Sequence, residues 1–149
     1  MCPKCDNIWI MNCFKMEEDK IKKYLKDKNY KKAYPLMMSA ICSDMKNITL
    51  IDSLASEFKK CKLYNELIEI YKLDFQYTLN PKYFEKIGDL YFKIGDLESA
   101  SENYFNYAET SKPVARIYNK LAKVFEKQGD IDSMKTCLAQ AELLEGSNG

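Results

Sequence analysis

Three of the chain's six cysteines lie within its first thirteen residues. Cys2 and Cys5 form a C-x-x-C pair, and Cys13 follows them. Such a pair can supply two thiolate ligands to zinc or form a redox-active dithiol, but a zinc site needs four ligands. Cys2, Cys5 and Cys13 are therefore an incomplete set of candidate metal ligands. We predict no metal or other cofactor and reduced thiols, with a metal- or redox-responsive regulator as the alternative.

Histidine is absent from the whole sequence. Its absence removes the commonest general base and excludes the Ser-His and Cys-His nucleophile systems. The sequence also lacks a glycine-rich loop that could hold a phosphate group. We therefore predict that the protein is not an enzyme and has no catalytic residue.

The overall composition is that of a helical globular protein. The chain has 149 residues, of which 46% are hydrophobic and 30% charged, with only 5 glycines and 4 prolines. No apolar run approaches the ~18 residues of a membrane span, and the stretch 8–11 is too short for a signal peptide. These features predict a cytoplasmic protein that does not bind membranes.

The charge of the chain is nearly balanced but unevenly distributed. The net charge is +1 for the whole sequence, which argues against a nucleic-acid partner. Residues 1–46 contain 10 Lys or Arg and 6 Asp or Glu, a net charge of +4. A basic end of this kind is usually a solvated surface, and the alternative is a site for an acidic partner.

An aromatic residue recurs at spacings of 34, 33 and 34 along the chain, at Tyr24, Phe58, Tyr91 and Phe125. Other apolar positions recur in the same register around each of them. In the third copy Phe84, Ile87, Gly88 and Tyr91 have the i, i+3, i+4, i+7 spacing of one helix face. The repeat therefore predicts pairs of amphipathic helices over 16–28, 30–44, 48–61, 63–78, 81–94, 97–110, 113–128 and 131–145.

The turns inside the last two copies have clear signals. Gly95 and Gly129 can adopt the left-handed conformation that ends a helix, and the aspartate after each can cap the next helix. The first two copies lack this glycine. In the first copy we predict that Asn29 takes the left-handed conformation, because asparagine tolerates it well.

The pattern resembles the tetratricopeptide repeat (TPR), whose signature is W-x2-L-G-x2-Y, A-x3-F and P. The third copy reads Phe84-x2-Ile87-Gly88-x2-Tyr91 and then Ala100-x3-Tyr104, with Pro113 following. The resemblance implies an all-α, right-handed superhelix (an α-solenoid) of about four antiparallel helix pairs. The implied repeats lie near 14–47, 48–80, 81–114 and 115–146, after a cysteine-containing leader (1–13) and before a flexible tail (147–149).

The resemblance also implies where a ligand would bind, because the first helix of each TPR pair lines a concave groove. The groove positions flank the buried stripe and are the candidate partner-binding residues. They are Asp52, Ser56, Lys59, Glu85, Asp89, Phe92, Arg116, Asn119 and Lys123, with Glu18, Lys22 and Leu25 at the matching positions of the first copy. Arg116, Asn119 and Lys123 share one helix, so we predict no clamp for a terminal carboxylate.

The sequence therefore predicts an adaptor or scaffold that binds a peptide or helix of a partner protein in this groove. A small secretion chaperone of the TPR type is a further alternative. The last predicted helix has no polar capping helix after it, although repeat arrays usually need one. We expect that helix to be covered by a second copy of the chain, by a partner or by more sequence in a longer parent protein.

Overall fold

A computed structural model describes residues 18–42 and 48–147. These residues contain helices and turns and no strand. The helices are α1 (18–26), α2 (Tyr30–Cys42), α3 (Ile48–Lys60), α4 (Tyr64–Thr78), α5 (Lys82–Ile94), α6 (Leu97–Thr110), α7 (Ala115–Gln128) and α8 (Ile131–Ser147). The predicted succession of short helices is confirmed, and the helix ends away from the undescribed residues lie within two residues of the predicted ones.

The chain divides into two compact units, and the boundary lies inside α4, between Leu73 and Asp74. The first unit contains α1, α2, α3 and most of α4. The second unit contains the end of α4 and the helices α5 to α8.

The core of the first unit consists of apolar side chains from the repeated positions of α1 to α4. Ile21, Met37 and Phe58 are fully buried. Each such side chain contributes ~1.5–3 kcal/mol by leaving water, which is why these helices pack together although none would be stable alone. The other buried apolar residues of this unit are Leu25, Ala33, Leu54, Ala55, Leu67, Ile68, Ile70 and Tyr71.

The second unit packs α5 against α6, α6 against α7 and α7 against α8. Its buried apolar residues again follow the helical stripe, and they are Tyr83, Ile87, Leu90, Ala100, Tyr104, Ile117, Leu121, Ala122, Val124, Cys137 and Ala141. One buried acid, Asp74, accepts a hydrogen bond from the Tyr83 hydroxyl, so this buried carboxyl group has a partner inside the unit. Ile131 and Leu138 occupy repeated apolar positions of the last copy and are nevertheless exposed. Neither has a following helix to cover it among the described residues.

The glycine turns of the second unit have the predicted geometry. Gly95 and Gly129 have φ values of 94° and 79°, and the aspartate after each caps the next helix. Asp96 accepts from the Ser99 backbone N–H at 3.1 Å and from the Ser99 hydroxyl at 2.7 Å. Asp130 makes the same two bonds to Ser133, at 3.1 and 2.6 Å.

The turns of the first unit follow the same path without glycine. Lys28 and Lys62 have φ values of 57° and 58° and occupy the positions that Gly95 and Gly129 hold in the second unit. The backbone N–H of Asn29, the residue after Lys28, donates to the Tyr24 carbonyl at 2.7 Å. The N–H after each turn glycine likewise donates to the carbonyl five residues earlier. The prediction that Asn29 itself takes the left-handed conformation is wrong by one residue.

Candidate functional site on α5 and α7

Four charged side chains of α5 and α7 form one connected network. Arg116 donates from Nε to Glu85 Oε1 at 2.8 Å and from Nη2 to Glu85 Oε2 at 2.9 Å. Lys120 Nζ donates to Glu85 Oε1 at 2.8 Å and to the two Asp89 oxygens at 2.8 and 2.9 Å. Lys120 therefore bridges two carboxylates that lie one helical turn apart on α5, and the two helices are tied together by paired charges.

The network continues to α6 through Tyr104, whose hydroxyl donates to Asp89 Oδ1 at 2.6 Å. The tyrosine ring packs directly against Gly88. A Cβ at position 88 would lie 2.7 Å from Tyr104 Cε1, closer than real contacts allow. Glycine at this position is therefore what allows the buried tyrosine to reach the Asp89 carboxylate.

The protonation equilibria reflect this pairing. Burial alone would raise the pKa of Glu85, but the hydrogen bonds from Arg116 and Lys120 outweigh burial, so the pKa lies below its ordinary value. Burial alone would lower the pKa of Lys120, and the bonds to Asp89 and Glu85 raise it above its ordinary value instead. Burial and then the Asp89 carboxylate raise the pKa of Tyr104. At neutral pH Glu85 and Lys120 are therefore charged and Tyr104 is neutral.

Phe92 lies one turn beyond Asp89 on α5. It is half-buried and packs against the core formed by α6 and α7. Lys127 Nζ lies 4.7 Å from the centroid of the ring, within the range of a cation–π contact. Phe92 therefore has only a part of its ring surface available to a partner.

The remaining predicted partner-binding residues are not members of this network. On α7, Asn119 is half-buried and Lys123 is exposed. On α3, in the first unit, Asp52, Ser56 and Lys59 are exposed at spacings of four and three residues, which places them on one helix face. Of the predicted set, the structure joins Glu85, Asp89 and Arg116 into one site.

The positions suggested for the first copy are only partly surface residues. Glu18 and Lys22 form an ion pair at 3.0 Å along α1. Leu25 is 2% exposed and belongs to the core, so the suggestion that it faces a ligand is wrong.

Lys120 is the network residue that sequence reasoning missed. It lies next to the groove position Asn119 but not on the predicted stripe of groove positions, and it reaches its carboxylates because a lysine side chain is long and flexible. Lys120 follows Glu85 by 35 residues and Asp89 by 31 residues. Both separations are close to the repeat length of 34, and this is the feature of the sequence that could have indicated the contacts.

The cysteine hypothesis concerns residues outside the structure, because Cys2, Cys5 and Cys13 all lie before residue 18. Among the described cysteines, Cys61 and Cys137 are free thiols. Within 18–42 and 48–147 no three Cys, Asp or Glu side chains are grouped as ligands of a metal ion would be. In the same ranges no helix is long and apolar enough to cross a membrane.

A groove of about 550 Å³ lies between α6, α7 and α8. Its floor includes Phe105 and Phe125, whose ring centroids are 6.3 Å apart, and its rim includes Asp132 and Ser133. An apolar floor with a polar rim is the usual composition of a binding pocket. None of the residues predicted to bind a partner lines it.

No protein-family model matches the chain, and no curated protein matches it in sequence. Solved structures of MamA, a TPR-like protein, are similar in fold. A point mutant of MamA superposes with a TM-score of 0.64 over 87% of this chain and 96% of that chain, at 11% identity. MamA 41-end from Desulfovibrio magneticus RS-1 gives 0.63 over 88% and 75%, at 11% identity, and another MamA crystal structure gives 0.62 over 89% and 73%, at 16% identity.

At these identities the likeness shows the fold alone. The chain has the all-α fold of helical-repeat, or α-solenoid, proteins, and this predicted fold class is confirmed. The resemblance to tetratricopeptide repeats is thus supported by the fold and not by a family model.

Proposed function

We propose that the protein is a non-catalytic adaptor or scaffold that binds a peptide or helix of a partner protein along the face formed by α5 and α7. The observation that supports this most directly is the network of Glu85, Asp89, Arg116 and Lys120 on a helical-repeat fold. The network fixes the two helices side by side, while the Arg116 side chain keeps 58% of its surface exposed. A rigid surface of this kind can bind a partner without first losing conformational entropy.

The same network supports the prediction that no terminal carboxylate is clamped here. Arg116 and Lys120 already hold the carboxylates of Glu85 and Asp89. An incoming carboxylate would have to displace an internal one from good hydrogen bonds, which offers little net gain. The face is better suited to a partner that makes hydrogen bonds to Asn119 and contacts the uncovered part of Phe92.

Affinity capture with paired variants tests this function. Lys123→Glu changes an exposed charge on the proposed face, and Lys135→Glu makes the same change on α8. Proteins bound specifically should be recovered with the wild type and with Lys135→Glu and be lost with Lys123→Glu, as measured by quantitative mass spectrometry. Equal recovery with both variants would place binding elsewhere on the molecule.

The proposal extends to α8, which carries three exposed large apolar side chains. Ile131, Leu138 and Leu143 are 47%, 40% and 69% exposed. We infer that this surface is covered in the assembled protein, by a second copy or by an adjoining partner or chain. If a second copy covers this surface, light scattering should show self-association that Leu143→Glu weakens. A monomer at all concentrations would exclude a second copy, and a different partner or an adjoining chain would then have to cover the surface.

The alternatives from the sequence remain predictions. A metal- or redox-responsive role requires Cys2, Cys5 and Cys13, and metal analysis of the purified protein tests it directly, since one equivalent of zinc would favour it. The secretion-chaperone alternative has no additional support from the described residues. We retain the cytoplasm as the proposed location.

A further inference from the structure

A second charged region lies in the first unit, where the ends of α1 and α3 meet the start of α2. A pocket of about 490 Å³ opens there, which we call the lysine pocket. It has a rim of four lysines, one acidic residue and an apolar floor. It is lined by Lys22, Leu25, Lys26, Lys28, Tyr30, Glu57, Lys60 and Cys61.

The positive charges of the lysine pocket are only partly neutralised. Lys22 pairs with Glu18 at 3.0 Å and Lys60 pairs with Glu57 at 3.1 Å. Lys26 and Lys28 have no acidic partner among the described residues, and both are exposed. The pocket therefore has a surplus of positive charge that the protein itself does not balance.

The ends of the helices account for part of this surplus. Both α1 and α3 end at residues that line or adjoin the pocket, and a helix C-terminus carries roughly half a negative charge. Lysines near helix ends commonly offset that charge. Two helix ends balance roughly one lysine, so the helix dipoles do not account for both Lys26 and Lys28.

Lys28 is also held in a backbone conformation that favours glycine. Its φ of 57° corresponds to that of Gly95 and Gly129 in the matching turns. A side chain with a Cβ costs ~1 kcal/mol or more in this conformation. Lys62 has the same conformation in the next repeat, so the backbone fixes where the Lys28 side chain starts without by itself indicating a function.

The floor of the pocket is apolar and fixed. Leu25 is buried, and the Cys61 thiol contacts the Leu25 carbonyl at 4.0 Å. Tyr30 lies half-buried beside them in the lining of the pocket. A pocket of this volume accommodates one or two side chains of a ligand rather than an extended surface.

We propose that the lysine pocket binds an acidic segment of a partner protein. One apolar or aromatic side chain of that segment would lie on Tyr30, and flanking Asp or Glu residues would pair with Lys26 and Lys28. A concave site with an apolar floor favours a peptide over a membrane or a nucleic acid, which require a broader basic surface, and the net charge of the chain is only +1. This site consists of residues of the first unit only, and the proposal goes beyond the function proposed for the face of α5 and α7.

Fluorescence anisotropy with a defined probe tests the proposal. The probe is a short fluorescein-labelled peptide with one phenylalanine between two runs of glutamate. Lys26→Glu combined with Lys28→Glu should weaken its binding about tenfold or more, because two attractive contacts become repulsive. Lys20→Glu combined with Lys31→Glu makes the same charge change at exposed positions of α1 and α2 outside the pocket and should weaken binding less than threefold, roughly the effect of distant screened charges.

Several outcomes would overturn the proposal. They are no saturable binding of the probe, equal losses in the two double variants, or equal binding of a peptide with glutamine in place of glutamate. Tighter binding of phosphatidylserine vesicles or of a single-stranded oligonucleotide would also count against it.

Nuclear magnetic resonance of the wild type avoids any folding defect of a variant, and the probe should shift the amide signals of Lys26, Lys28 and Cys61 most. Lys123→Glu should leave binding of this probe unchanged, so failure of one proposal is distinguishable from failure of the other.

Discussion

The lysine pocket and the face of α5 and α7 contain similar residues but arrange their charges in opposite ways. On α5 and α7, Arg116 and Lys120 are held by two carboxylates that come from the preceding repeat. In the lysine pocket, Lys26 and Lys28 have no such partner in the described part of the chain. The same arrangement of helix pairs can therefore carry either a surface whose charges are paired within the protein or a surface whose positive charges are available to a ligand.

The two units also differ at their turns. Gly95 and Gly129 form the turns of the second unit, and Lys28 and Lys62 form those of the first along the same path. The comparison shows that the turn is set by the packing of the two helices it joins and not by glycine alone. Glycine lowers the cost of this backbone conformation, and the core of the first unit compensates for its absence.

The largest effect should come from filling the close contact between α5 and α6. Gly88→Ala places a methyl group 2.7 Å from the Tyr104 ring, which cannot move away easily because its hydroxyl is bonded to Asp89. We expect a loss of ~1–3 kcal/mol in the free energy of unfolding, measured by urea denaturation. Gly146→Ala, where nothing lies near the added methyl group, is the control and should be neutral or stabilising.

The next effect should come from removing the central cation of the network. Lys120→Met leaves Glu85 and Asp89 close together without their shared partner, and we expect a loss of ~1–2 kcal/mol in unfolding free energy. Lys123→Met and Lys26→Met remove exposed lysines and should change it by less than ~0.5 kcal/mol. Equal losses of unfolding free energy in all three variants would contradict the inferred difference between paired and unpaired lysines.

The paired charges should also make the second unit sensitive to acid. The folded-state pKa of Glu85 lies below its ordinary value of 4.5, so its stabilising effect is complete above that value. The effect is lost as pH falls below 4.5 through the lowered folded-state pKa. Glu85→Gln should be less stable than the wild type at pH 6, and the difference should shrink at pH 3. A difference independent of pH in thermal melts would contradict this account.

The smallest effect should be a gain in stability. Lys28→Gly relieves the left-handed strain and should raise the unfolding free energy by about 0.5–1 kcal/mol. Lys26→Gly removes the same charge from the last residue of α1, where no left-handed strain is relieved, and should leave the unfolding free energy unchanged or lower it. Both variants should weaken binding of the glutamate probe, so Lys28→Gly would separate binding from stability. A destabilised Lys28→Gly variant would show that the turn is not strained.

The fold could be predicted from the sequence because seven apolar positions recur at nearly constant spacing. That spacing locates helices such as α5, and Gly95 with Asp96 locates the turn after it. Three details depend on tertiary contacts instead. The inward direction of Leu25 depends on α2 and α3, and the left-handed residue of the first turn differs from the predicted Asn29 by one position. The bridging role of Lys120 depends on the reach of its side chain to a helix more than thirty residues away.

The contact between Gly88 and Tyr104 also constrains how this sequence could have changed over time. The fourth copy has alanine and leucine, Ala122 and Leu138, at the corresponding positions. The second copy combines alanine with tyrosine, Ala55 and Tyr71, so it is the close packing of Gly88 on the Tyr104 ring that excludes alanine at position 88, and not this pair of residue types in general. Tyr104→Leu should therefore suppress the defect of Gly88→Ala, an epistatic interaction that a double-mutant cycle would measure as non-additive. At this contact between α5 and α6 the order of the two substitutions therefore matters, even though the repeats share one fold.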